Sequence, residues 1–99
     1  MKYFAMVDVE SKLVTELATV DQEWNRHEPW TQAELSGIVH LINVEGKPGW
    51  WVMYSPDRGG RGVPQLGWRW EERINLFINP AAEPQNVFVP GAEDEAPVG

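Results

Sequence analysis

The chain has 99 residues, a formal net charge of −7, 42% hydrophobic residues and no cysteine. This length suits one domain with a modest core, and the apolar content excludes wholesale disorder. The missing cysteines exclude a disulfide scaffold, a thiolate metal site and a cysteine nucleophile, and no apolar run approaches the roughly 20 residues that span a bilayer.

The start, MKYFAMVDVESK, carries one lysine and a short apolar stretch broken by Asp8, so it reads as a first strand rather than a signal peptide. With the absence of cysteine, this points to a cytoplasmic protein. Within residues 3–9, Tyr3, Ala5, Val7 and Val9 alternate with Phe4 and Met6. Apolar groups on both faces predict a strand buried at the centre of a sheet.

The period then changes. Leu13, Leu17, Val20 and Trp24 recur at helical spacing, with a polar opposite face of Lys12, Thr15, Glu16, Thr19, Gln22, Glu23 and Arg26. An amphipathic helix over 11–26 is the favoured reading. A hairpin turning at Ser11–Lys12 competes with it, but would set Glu16 on the face of Val14, Ala18 and Val20. After Pro29, Thr31 and Glu34 have capping-box spacing, with Trp30 and Leu35 as a hydrophobic staple, which predicts a short helical turn. The β-branched run 38–44 predicts a strand, although Leu35, Ile38, Val39 and Ile42 also fit one helix through 31–45.

A turn at 45–49 leads into a strand over 50–55, WWVMYS. Residues 56–67 hold four glycines and two prolines with Arg58 and Arg61 between them, which predicts a long loop. Residues 73–79 alternate Ile74, Leu76 and Ile78 as a strand, and 86–89 form another. The acidic tail 91–99 has little to bury and reads as disordered. The expected fold is therefore α+β: one domain over 1–90, with a mostly antiparallel sheet of four or five strands and one amphipathic helix packed on one face.

No catalytic signature emerges. His27 and His40 lack metal-ligand spacing, and His40 in an apolar strand reads as facing solvent or satisfied by a sheet neighbour. None of Ser11, Ser36 and Ser55 lies in a nucleophile elbow, and the glycine-rich loop lacks the Lys-Ser/Thr of a phosphate loop. These observations point away from an enzyme, a cofactor and a metal.

Four of the six tryptophans, Trp50, Trp51, Trp68 and Trp70, bracket the loop with Arg58 and Arg61. Tryptophan and arginine are enriched where binding energy concentrates at protein interfaces. These six residues form the candidate protein-binding surface of a small accessory protein. In size and style the chain is similar to accessory proteins of bacteria and their phages, a likeness that rests on no motif. The partner is expected to be a protein, with self-association an alternative occupant. Binding of a single-stranded nucleic acid or a nucleotide on the same surface is the competing reading. It is disfavoured by charge: residues 36–70 hold four basic and two acidic side chains, but the flanks are acidic and the whole chain is −7. An enzyme whose site assembles only in three dimensions is the third reading. The arginines, on glycine-rich backbone, are expected to be solvated and dispensable for folding.

Overall fold

The computed structural model describes residues 1–82; the strand expected at 86–89, the domain boundary at residue 90 and the tail 91–99 lie outside the described residues. Strand β1 (Lys2–Val7) is central in a three-stranded antiparallel sheet, between β2 (Val14–Val20) and β3 (Trp50–Tyr54). Its two-sided apolar pattern has the anticipated cause. Ala5 and Val7 enter one core with Val52, Tyr54, Trp70 and Phe77, while Phe4 enters a second with Val20, Ala33, Leu41, Trp51 and Met53. Helix α1 (Trp30–Val39) covers the second core, and a hairpin of β4 (Arg69–Glu71) and β5 (Leu76–Ile78) covers the first.

The fold is α+β with antiparallel sheets, but the strands form a sheet of three and a sheet of two. The two meet where the chain enters β2. Val14 N–H donates to Trp68 C=O (2.7 Å), Trp70 N–H to Lys12 C=O (2.8 Å), and Gly67 N–H to Val14 C=O (2.9 Å).

The helix expected at 11–26 is instead the second arm of a hairpin. A β-bulge opposite Met6 and Val7, where the pairing steps from Glu16 to Val14 and leaves Thr15 extra, takes Val14 off the face that Glu16 still shares with Ala18 and Val20. Val14 therefore turns into the core of Val7, whereas Glu16, opposite Met6, lies at the sheet edge and pairs with Lys47 at 3.4 Å. Helical spacing of Leu13 and Leu17 was coincidence: both are exposed. The turn is set by Asp8, whose carboxylate accepts N–H bonds from Glu10 and Ser11, and by Lys12 at a φ of 65°.

The strand expected at 38–44 is also overturned. Helix α1 continues through a π-helical turn, His40–Val44, much as the longer alternative had it. Ala33, Gly37 and Leu41, each four residues apart, bury against the sheet, and that packing outweighs the β preference of the run. Gly46, at a φ of +67°, lets the chain leave the helix. The capping box does not form. Pro29 precedes the first turn without a side-chain cap, Trp30 packs edge-on against Trp24, and Leu35 faces outward.

Alternation in 73–79 holds only in part. A 3₁₀ turn over Glu72–Ile74 ends at left-handed Asn75, which resets the parity so that Phe77, not its neighbours, fills the core.

Candidate functional site

Consecutive residues of a strand point to opposite faces. Trp50 accordingly packs beside the core under the β4–β5 hairpin, and Trp51 enters the core under α1, where its Nε1–H donates to Lys47 C=O (2.7 Å). Trp51 and Trp70 are buried, whereas Trp50 and Trp68 are half-buried. These four residues therefore present no single exposed aromatic face.

Neither arginine is merely solvated. The Arg58 guanidinium lies 3.7 Å over the Trp24 ring and donates to Trp24 C=O (2.9 Å). Arg61 reaches inward, its side chain 12% exposed and that of Glu34 only 16%. Arg61 Nη1 donates to Glu34 Oε2 (2.8 Å) and to Met53 C=O (3.0 Å), while the same Glu34 oxygen accepts from Met53 N–H (2.9 Å). The guanidinium also stands over Trp30 and Trp70, at 4.8 and 5.3 Å from their ring centroids. The expectation that both arginines are solvated therefore fails for Arg61, which is tied to Glu34 and to the Met53 backbone.

This arrangement decides the character of β3. Among the described residues the strand pairs with β1 on one side only, so within them its other side is a free sheet edge. In an antiparallel ladder, backbone groups alternate between the two sides. Met53 points its N–H and C=O to the free side, where Glu34 and Arg61 satisfy both as a neighbouring strand would. By the same alternation the N–H and C=O of Trp51 point to the free side, and among the described residues no hydrogen bond engages them.

An open groove of about 320 Å³ runs beside that edge, lined by Glu34, Ile38, Trp50, Trp51, Val52, Arg61, Trp70, Glu72 and Asn75. It gathers four of the six candidate residues. Arg58 stays with Trp24, and Trp68 stays at the start of β2. A second hollow of about 370 Å³ adjoins it, sharing Arg61 and Asn75 with Trp30, Thr31 and Gly60. Two buried donors in these walls, Trp30 Nε1–H and Arg61 Nε–H, have no acceptor among the described residues.

Sequence reasoning missed Glu34, Trp24 and Trp30, which receive the arginines. One signal was available: Glu34 is the only charged side chain between Pro29 and Val39, on a segment that packs into the core. Among the described residues no group of three or more His, Asp or Glu side chains could hold a metal ion, and no helix is long and apolar enough to cross a membrane. His40 lies in the helical segment and bonds Glu45 at 3.0 Å. No protein-family model, curated protein or solved structure matches the chain.

Proposed function

We propose that this protein is a non-enzymatic binding module that takes an extended segment of a partner protein against the free edge of β3. The observation that carries this reading is Trp51, which lines an open groove and whose backbone N–H and C=O, by the alternation of the ladder, point to the side of β3 that is unpaired among the described residues. A polypeptide added there gains main-chain hydrogen bonds from the edge and seats alternate side chains in the groove. Ile38, Trp50 and Trp70 supply apolar walls. Arg61 is neutralised by Glu34, which leaves exposed Glu72 as the uncompensated charge at the rim. The partner segment therefore alternates apolar and basic side chains, in keeping with a module of net charge −7.

The competing nucleic-acid reading draws less support, because Arg58 and Arg61 are committed to contacts within the chain. The test is an NMR titration of the labelled protein with a capped peptide of alternating valine and lysine. Shifts and exchange protection centred on the Trp51 amide, lost when the pairing amides of the peptide are N-methylated, are the expected result. Equal binding of the N-methylated peptide would sink the proposal. A shift of the same residues by a single-stranded oligonucleotide, with none by the peptide, would put nucleic acid first.

A further inference from the structure

Helix α1 turns the wrong side chains to water. Its inner row is small, Ala33 and Gly37 followed by Leu41, while Leu35, Val39 and Ile42 are 62%, 48% and 37% exposed. At about 100° per residue, those three form one stripe roughly opposite the buried row. The stripe also lies in the longest run of the chain without an Asp, Glu, Lys or Arg. From Leu35 to Val44 the only ionisable side chain is His40, which is held by Glu45, whereas the whole molecule carries −7.

We infer that this face docks a second copy of the same chain, two α1 helices packing antiparallel about a two-fold axis near Val39. Two molecules of like charge repel through most of their surfaces, and this is a face on which they can meet without opposing acids. An isologous contact needs a self-complementary surface. The spacing of 35, 39 and 42 provides one, setting Leu35 against Ile42 of the partner subunit about the central Val39. Rows at three- and four-residue spacing interdigitate in this way, and antiparallel helices align their dipoles favourably. The stripe covers only two turns, short of the ~800 Å² per partner of a standard interface, so the dimer is weak and forms as concentration rises. This inference is independent of the groove at β3.

Sedimentation equilibrium across a concentration series tests it. The wild-type chain should show a monomer–dimer equilibrium that tightens as salt is added, because screening removes the repulsion. Val39→Glu, at a half-exposed position, should weaken association at least about tenfold, equivalent to ~1.4 kcal/mol, with an unchanged circular dichroism spectrum. Val39→Lys should do the same, and an equimolar mixture of the two variants should recover the dimer. A wild-type chain that stays monomeric at every concentration overturns the inference. So does dimerisation undiminished in both variants.

Discussion

Gly37 of helix α1 rests directly on the ring of Phe4 in the central strand: a methyl group added at Gly37 would overlap Phe4 Cζ and stand 2.6 Å from Cε1. Phe4 is fully buried, so the ring has no free space to move into. The absent side chain at position 37 is what lets the helix approach the sheet closely enough to seal the second core.

Gly37→Ala therefore sets two effects against each other. Alanine favours a helix interior by up to about 1 kcal/mol, while overpacking a tight core costs about 1–3 kcal/mol. The clash is with a confined aromatic ring, so the net result should be a loss of about 1–2 kcal/mol in chemical denaturation. Phe4→Leu in the same chain should recover part of that loss, and a strictly additive double-mutant cycle would show that the contact does not limit the packing.

The two loop arginines should behave differently. Arg61→Ala removes one half of a largely buried pair and strips Met53 C=O of its donor, which should cost about 2–4 kcal/mol. Arg58→Ala removes an exposed ring contact and one hydrogen bond, with an expected cost of about 1 kcal/mol or less. Urea midpoints of the two variants give the comparison directly. Equal midpoints would mean that Glu34 finds another partner.

Leu17 and Leu41 offer a test of the hairpin against the helix. Leu17 is 38% exposed on β2 and Leu41 is fully buried. Leu41→Ala should cost about 2–5 kcal/mol, and Leu17→Ala no more than about 1 kcal/mol. The reverse order would restore a helix over 11–26.

Asp8 ties the β1–β2 turn to pH. The Ser11 N–H, then the Ser11 side chain, hold its carboxyl below the ordinary carboxylate value, with the Glu10 N–H adding to the effect. A depressed folded-state value means that its contribution is present above the unfolded value and lost as pH falls through the folded one. The carboxyl carbon of Asp8 should titrate below those of exposed acids by NMR, and the Glu10 and Ser11 amides should shift with the same midpoint. In Asp8→Asn that coupled amide shift should vanish.

The legible parts of this fold were those where a local pattern and its tertiary outcome agreed. Apolar residues on both sides of 3–7 require layers on both sides, and the chain supplies them. The segment 13–20 was misread because Leu13 and Leu17, which are exposed, fall by chance at helical spacing with Val20, while the strand itself alternates in burial from Val14 to Val20. The run 38–44 was misread for a different reason: Val39, Ile42 and Val44 point to solvent, while the helix is fixed by small Ala33 and Gly37 ahead of the run and by buried Leu41 within it. At the site, the clustering of tryptophan and arginine was visible in the sequence. That Arg61 would turn inward to Glu34 was not, since the two are 27 residues apart and meet only once α1 lies across the sheet.

The pair at Met53 has one more consequence. Because two charged side chains already occupy that rung of the ladder, any strand joining β3 meets a fixed end-stop there and cannot slide along the edge. The frame in which the incoming backbone pairs is thereby locked, and a shift by a single residue would exchange the side chains facing the groove for those facing away. Under the proposed strand addition, sequence discrimination among incoming segments would come from a barrier at one point on the edge, supplied by residues that need not touch the discriminated side chains at all.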